Sequence, residues 1–596
     1  MMISQSILPF YTLAVLCIPT SHAFQSSLNP RAFARSRQTS LSVTEGGYDL
    51  AVIGGGVVGV QAALTAASSP MNKKVALIDA PRASGVLMNE ETGEDLSLGA
   101  PTGLFSKALR DTSKNIKVAS LRGMGLREES VWNEIISNCV ELASSNAQDV
   151  RRQLDFAGVT YIEGYASFPD SGGSDTISVD EPDGTVHIVR AKKYLIATGS
   201  KAFRPGGIPF DGKQVFDSDT INQISFLPKS IAITGSGIIA VEYAKVFSNL
   251  GSKVTLIIRD QVPRNALMKI GLDKDVAATL VADLIRSGVK IIRGAQVKEF
   301  YVPPPPASGG QRLPVKIEIE AKGGGPLPSG VERETEIKVD AYVAAVGRKP
   351  NTVGLNLERA GIDVDEYGGI LVDSQLRATA KGGNVYAAGD VVGRPFLAST
   401  GSAQGRAALS AMFAEPTSGN ATEYATCDPE DETCVEGGMS QAGESFDPTS
   451  LAANPFAFPC GVWSSPEAAY FGLSVQQAAD MGIEAGEGIA LYSECLRGLV
   501  FSPNGLLKIV YEKPAGRILG VHICGDDACE LIHYGMELVK GRRTVIELSS
   551  TLYSAVTFHE MYKIAAQAAL DEVGARKRRA AAGKALAKRL RDASLL

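Results

Sequence analysis

The sequence predicts an α/β fold: two Rossmann-like, three-layer dinucleotide-binding domains with a smaller α+β domain behind them. Three observations carry this expectation. Tyr48–Asp79 and Ser230–Ile258 each read as strand, glycine-rich turn, helix and second strand. Leu499–Gln567 reads as strands followed by helices. At 596 residues the chain has room for about three or four domains.

In the first unit, Asp49–Ile53 is an apolar, β-branched strand. Gly54, Gly56 and Gly59 form G-x-G-x-x-G, and Val57–Ala67 has helical periodicity. Lys74–Asp79 is the second strand, ending in an acid 20 residues beyond Gly59. The first glycine permits the tight turn, the second admits a pyrophosphate to the backbone, and the third lets helix pack on strand. The helix N-terminus offers free N–H groups and a positive dipole to the phosphates. An acid in the place of Asp79 accepts hydrogen bonds from ribose hydroxyls. This is a dinucleotide site, of a kind the stretch alone does not specify.

The second unit repeats the pattern. Ser230–Thr234 is a strand, Gly235, Gly237 and Ala240 form G-x-G-x-x-A, Val241–Leu250 continues a helix, and Lys253–Ile258 is the second strand. That strand ends on Arg259, where a binder of NAD places an acid, and a cation there suits the 2′-phosphate of NADP. Arg264 is near enough in sequence to join it. A charge-assisted hydrogen bond is worth about 1.5–3 kcal/mol, so two arginines favour NADP over NAD by roughly a hundredfold or more. The alternative for Arg259 is a solvated arginine at a strand end.

Composition removes other classes. A net charge of −6 and 44% apolar residues describe a globular protein with no nucleic-acid bias. Eight cysteines are too few for a disulfide scaffold, and none has the paired C-x2-C spacing of a zinc site. The five histidines are scattered, so no metal site is expected.

The N-terminus reads as a targeting segment. Ile7–Ile18 is an apolar run too short for a membrane anchor, Ser21–His22–Ala23 offers a cleavage site, and Phe24–Val43 is rich in Ser and Arg with no acid. A signal sequence joined to a transit-like segment resembles the bipartite presequences of algae with complex plastids. The expected location is the plastid, with secretion as the alternative, and residues 1–45 are set outside the fold.

Three further stretches, YLIATGS (Tyr194–Ser200), AAVGRKPNT (Ala344–Thr352) and NVYAAGDVVG (Asn384–Gly393), together with the two glycine units, resemble the pyridine nucleotide–disulfide oxidoreductase family from Tyr48 to about Leu570. The resemblance implies FAD in the first cradle, with Asp79 on its adenosine ribose, Asp390 on its ribitol chain, and Gly199 and Gly347 in the flanking turns. It implies an FAD-binding domain at 46–225 and 362–412, a nicotinamide domain at 226–361, and a dimerisation domain at 459–572 that makes a homodimer. Alanine at position 240 also resembles NADP-binding members.

The redox centre departs from that family. Its C-x4-C, placed ahead of Ser106–Lys107, aligns with Leu98 and Gly103, Phe105 replaces a proline, and no cysteine lies between Cys17 and Cys139. The family's acid–base histidine aligns with Ala555; Glu560 remains, and His559 is offset by four. Cys524 and Cys529 have C-x4-C spacing but read as structural thiols. What survives is Lys107, matching the lysine near flavin N5, and Glu242, its carboxylate partner. The alternative for Lys107 is a surface lysine on a helix.

SKALR (Ser106–Arg110), Ile196–Thr220, Gly389–Ala408 and Pro459–Glu467 resemble the soluble pyridine nucleotide transhydrogenases within the family. That implies hydride transfer from NADPH to FAD and on to NAD⁺, or the reverse. Arg259 fits the NAD⁺ half poorly. One alternative is an NADPH-dependent reductase of a quinone or other diffusible acceptor; another is a dinucleotide-binding, redox-sensing partner protein. Val302–Gly330, with its PPPP and GGG, reads as a surface insertion, and 413–458 as a flexible acidic one in which Cys427 and Cys434 are a redox pair or two free thiols. Ala575–Asp592, in the tail 573–596, is a basic helix, solvated or turned to an anionic partner or membrane surface.

Overall fold

A computed structural model of the protein describes residues 47–81, 98–100, 104–115, 127–170, 175–304, 312–322, 336–378, 382–413 and 458–571, with the backbone of 41–43. The acidic insertion with Cys427 and Cys434, the basic tail and Gly103 lie outside the described residues.

The first sheet is built on parallel strands in the order Thr160–Glu163, Val75–Asp79, Tyr48–Ile53 and Val186–Ile196, with Val385–Ala387 on the far side of the last. Leu50, Ala51, Val52, Val75, Ala76 and Leu77 are fully buried. Strands covered on both faces must be continuously apolar, which is why these read as unbroken runs. One face carries Val57–Ala67, whose small buried residues Ala62, Ala63 and Ala66 allow close packing. Ala398–Phe413 lies against that helix, and a Cβ on Gly401 would stand 2.7 Å from Val58 Cγ2. The amino-terminal half of Val186–Ile196 leaves the layer and pairs antiparallel with Thr176–Asp180.

Leu41–Val43 pairs in parallel with Val186–Ile188. The fold therefore starts inside the segment that the sequence reading excludes as presequence. The long strand Val186–Ile196 extends beyond its neighbours there and offers unpaired backbone groups, which an extended segment of any composition can satisfy.

The second sheet is also parallel, ordered Lys290–Arg293, Lys253–Ile258, Ser230–Thr234, Ala341–Ala344, Val215–Asp217. Ile238–Asn249 and Lys274–Arg286 are its two longer helices. A three-stranded antiparallel sheet of Ala295–Tyr301, Val315–Ala321 and Glu336–Val339 is added to it. This corrects the reading of 302–330 as a surface insertion. Val315, Ile317 and Ile319 alternate into a buried layer with Val339, a period of two that the flanking prolines and glycines concealed. Arg348–Pro350 pairs antiparallel with Ser200–Ala202, tying the second unit to the first.

The C-terminal unit is a five-stranded antiparallel sheet, ordered Cys460–Val462, Glu467–Gly472, Ile518–Gly525, Leu506–Glu512, Ala485–Leu491. Ala528–Lys540, Val545–Ser550 and Glu560–Leu570 are the helices that follow its last strand. Lys508 fastens it to the second unit: fully buried, its ammonium lies 2.7 Å from Asp273 Oδ1 and 3.3 Å from Glu487 Oε2, and also pairs with Asp275. Asp273 caps Lys274–Arg286 by accepting from Asp275 N–H.

Candidate active site

The two glycine turns face one cavity of about 2020 Å³. That exceeds the roughly 300–1,000 Å³ of a site for one small ligand and matches the need to hold two dinucleotides. Gly54 has φ +114°, and a Cβ on it would meet Ala197 O at 2.5 Å. A Cβ on Gly59 would stand 1.8 Å from Gly54 O, so its role is packing and it stands away from the cavity. Gly56 is the open one: nothing lies within 4 Å of the Cβ it lacks. Gly235 and Gly237 repeat this, the first at φ +139° against Ala345 O and the second open. Ala240 is fully buried beneath the turn. Each cradle thus presents a bare backbone facing the cavity at a helix N-terminus, which fits a pyrophosphate.

Asp79 lies at the end of its strand, 8% exposed, and its Oδ1 accepts from Gly55 N–H at 2.8 Å. One carboxylate can accept several hydrogen bonds, so this contact orients the group and leaves acceptor capacity for a ribose. Gly199 and Gly347 line the cavity at φ +69° and +125°, both with open Cβ positions.

Asp390 is reached through an array of Arg348, Ser200 and Asp219, to none of which sequence reasoning assigned a role. Arg348 donates from Nε to Ser200 Oγ at 2.8 Å, from Nη2 to Ser200 O at 2.8 Å and from Nη1 to Asp219 Oδ1 at 2.6 Å. Ser200 Oγ donates to Asp390 Oδ2 at 2.5 Å. A guanidinium cannot accept, so the serine must accept from Arg348 and spend its one proton on Asp390. Burial pushes the Asp390 carboxyl above its ordinary range, opposed by the Ser200 hydroxyl and the Arg348 charge and reinforced by Asp219. Arg348 directly follows Gly347 in AAVGRKPNT, which was the available signal.

Between the cradles the helix Leu104–Asn115 packs on Ile238–Asn249 and brings Lys107 to Glu242. Lys107 Nζ lies 2.9 and 3.1 Å from the two carboxylate oxygens. The glutamate side chain is 4% exposed and the lysine 33%. Glu242 Oε1 also accepts from Trp463 N–H at 2.9 Å. A buried carboxylate needs such partners; the lysine end remains open to the cavity. Tyr243, next on the helix, donates to Asn222 Oδ1 at 2.9 Å, and burial keeps its phenol protonated.

Arg259 is exposed and lines the cavity, whereas Arg264, on the short helix Pro263–Met268, stands outside the lining. Of the two arginines that the sequence suggests for a 2′-phosphate, the cavity lining includes Arg259 alone.

Leu98 is buried among Val60, Val150 and Leu154. Ala555 is exposed in a turn where Val556 takes φ +63°. Glu560 Oε2 accepts from Thr557 N–H at 3.1 Å, closing the start of its own helix. The His559 ring stacks on Tyr562 with centroids 6.1 Å apart, and burial lowers its pKa. Cys139, Cys460, Cys495, Cys524 and Cys529 are all buried free thiols. Burial pushes Cys139 and Cys460 up to about 11, and Cys524 and Cys529 higher still. Among the described residues no group of His, Cys, Asp and Glu is arranged to hold a metal ion.

Two glycine cradles opening on one cavity, with a lysine–carboxylate pair where they meet, define a flavin- and nicotinamide-binding oxidoreductase. The chain belongs to the pyridine nucleotide-disulphide oxidoreductases: that family matches residues 48–405, and its dimerisation domain matches 458–566. It is thus an FAD- and NAD(P)-dependent enzyme of the homodimeric kind. Its C-terminal unit exposes Leu496, Leu499, Val500, Phe501, Ile546 and Leu552, an apolar set suited to a subunit interface.

Curated relatives are called soluble pyridine nucleotide transhydrogenase. That of Colwellia psychrerythraea is 29% identical over 535 residues, covering 88% of this chain and 98% of its own. That of Mycobacterium tuberculosis is 29% identical over 542 residues, covering 89% and 98%. Among solved structures, the HOCl-induced flavoprotein disulfide reductase RclA of Escherichia coli, as its Cu(II) complex, has a TM-score of 0.66 at 22% identity and covers 88% of this chain and 99% of its own. LpdA of Mycobacterium tuberculosis has a TM-score of 0.66 at 23% identity, covering 87% and 99%. At these identities the two structures speak to the fold.

Proposed function

We propose that the protein takes hydride from NADPH onto bound FAD and passes it to NAD⁺, with no dithiol step. The observation that carries this is the Lys107–Glu242 pair, kept at the junction of the cradles while leucine and alanine stand where a thiol and the acid–base histidine would be needed. FAD, when bound, supplies the hydride-accepting and hydride-donating ring. The chain's part is electrostatic and positional. Lys107 holds a fixed positive charge towards the cavity, stabilising negative charge that develops on reduction. Glu242, itself held by the Trp463 N–H, fixes that lysine. Gly56 and Gly237 admit the two pyrophosphates, Asp79 and Asp390 take the ribose and ribitol hydroxyls, and Arg259 takes a 2′-phosphate. Hydride leaves NADPH as NADP⁺ and arrives on NAD⁺ as NADH, so two electrons are conserved and no thiol is oxidised.

Arg259 also favours a second reading, since a cation suited to a 2′-phosphate disfavours NAD⁺ as acceptor. A quinone would then take the electrons, and Phe458, Trp463 and Ile532 in the cavity lining offer an apolar wall for it. Stopped-flow spectra separate the readings. Reduction by NADPH followed by reoxidation with thio-NAD⁺ supports the transhydrogenase, whereas turnover with quinones alone replaces it with the reductase. A flavin that NADPH leaves oxidised removes both and leaves a dinucleotide-binding redox sensor. We also propose plastid delivery by the N-terminal segment; a fluorescent fusion of residues 1–45 found in the secretory route would overturn it.

A further inference from the structure

The strand Lys253–Ile258 runs parallel to Lys290–Arg293, with Ile258 opposite Arg293. Arg259 and Gly294 therefore leave the sheet side by side at its carboxyl edge, where open α/β sheets bind their ligands. Gly294 is a crossing point. Its N–H donates to Asp260 O at 3.2 Å, and its carbonyl accepts from Lys322 N–H at 2.9 Å. A Cβ on Gly294 would stand 2.2 Å from Gln261 Nε2, so the crossing is tight. Lys322 follows the strand Val315–Ala321, so the antiparallel sheet delivers it next to the turn that carries Arg259 and Asp260.

Arg259, Asp260, Lys269 and Lys322 all line the cavity at this corner. The charge of the carboxylate among them is already offset, because Lys269 Nζ lies 2.6 Å from Asp260 Oδ1. Asp260 keeps acceptor capacity on its second oxygen, but the corner as a whole presents net positive charge to the ligand. Among the described residues no acid pairs with Arg259 or Lys322. Three cations against one carboxylate leave two positive charges uncompensated, which suits a phosphate monoester of about −1.5 to −2.

We propose that Lys322, in place of Arg264, is the second cation of a 2′-phosphate subsite formed with Arg259. The proposal rests on the reading of NADPH as reductant and adds the residue that completes its recognition. It makes the antiparallel strand Val315–Ala321 a specificity element as well as a packing one.

The test uses the FAD-loaded protein and two fragments, 2′,5′-ADP and 5′-ADP, titrated by calorimetry. The wild-type protein binds 2′,5′-ADP more tightly. Lys322→Ala loses about tenfold of that affinity, as expected for one charge-assisted contact, and leaves 5′-ADP unchanged. Lys322→Arg restores it, and Arg264→Ala stays within about twofold of wild type on the same scale. Lys322→Ala with its preference intact, or with both fragments weakened equally, overturns the assignment while NADPH stands. A wild-type protein that takes both fragments equally overturns the NADPH reading and this one with it.

Discussion

The two glycine cradles are nearly the same object built twice, and they differ where specificity is set. Each opens on a glycine of positive φ pressed against a neighbouring carbonyl, and each has a bare glycine facing the cavity. In the first, the helix approaches so closely that only hydrogen fits at Gly59; in the second, Ala240 is accommodated. The first ends in Asp79, which is buried and oriented by Gly55 N–H. The second ends in exposed Arg259, with Asp260 tied to Lys269. The backbone geometry that holds a pyrophosphate is shared. The ligand is chosen by the residues at the end of the second strand, buried Asp79 in one cradle and exposed Arg259 in the other.

The sharpest way to break the comparison is at the third position. Gly59→Ala places a methyl against the carbonyl of Gly54, where backbone must move, a cost of about 1–3 kcal/mol or more. Purified protein should carry little flavin by its visible absorbance. Ala240→Gly, the reciprocal change, costs about 1 kcal/mol and should keep its flavin; equal flavin loss in both would show that the cradles pack alike.

The pair that joins the cradles comes next. Lys107→Met should slow flavin reduction by NADPH by roughly 10²–10³-fold, the scale of removing one preorganised electrostatic contact. Glu242→Gln should do less. Because the two side chains act as a unit, the double variant should be no slower than Lys107→Met, and rapid-mixing rates that multiply would sink the idea.

Arg259→Glu tests the difference in strand-end charge. The ratio of kcat/KM for NADPH over NADH should fall by roughly tenfold to a hundredfold, and an unchanged ratio removes the NADP argument. Ser200→Ala, which takes from Asp390 the proton that Arg348 directs to it, should weaken FAD retention by about tenfold. Fluorescence of released flavin on dilution measures this, and Lys349→Ala, on the strand paired with that of Ser200, serves as the control.

The smallest effect concerns how the second unit is fastened to the C-terminal one. His522 is fully buried near Asp273, Lys508 and Glu487, with Nε2 at 3.0 Å from Leu473 O. Burial holds its pKa below the usual value of 6.5, despite the acids around it. A base neutral when folded and readily protonated when unfolded contributes stability that is complete above about pH 6.5 and declines as pH falls towards the lower folded value. The fall in Tm between about pH 7.5 and 5.5 should therefore be smaller in His522→Gln than in wild type. A fall of the same size would mean that this histidine does not set the acid sensitivity.

The fold was legible wherever a local pattern met a local physical need. Strands such as Ser230–Thr234 and Lys253–Ile258 are short apolar runs, the first followed by Gly235 and the second by Arg259, and the structure keeps those bounds. Val315–Ala321 was missed because the prolines and glycines around it suggest a loop, although its own alternation is regular. The pairing of Leu41–Val43 was missed because an edge strand needs only free backbone on its neighbour.

By itself the sequence determined the two cradles, with the acid at one strand end and the cation at the other. These follow from spacing along the chain, since a turn, a helix start and a strand end are set by near neighbours; Lys107 and Glu242 were marked only by the family resemblance. The tertiary structure decided what is brought together across distance: Lys107 to Glu242 over 135 positions, Arg348 through Ser200 to Asp390, and Lys322 to the turn of Arg259. Arg264, close to Arg259 in sequence, is not among the residues that line the cavity. Closeness in sequence says little about direction, whereas sheet pairing fixes which distant residues share an edge.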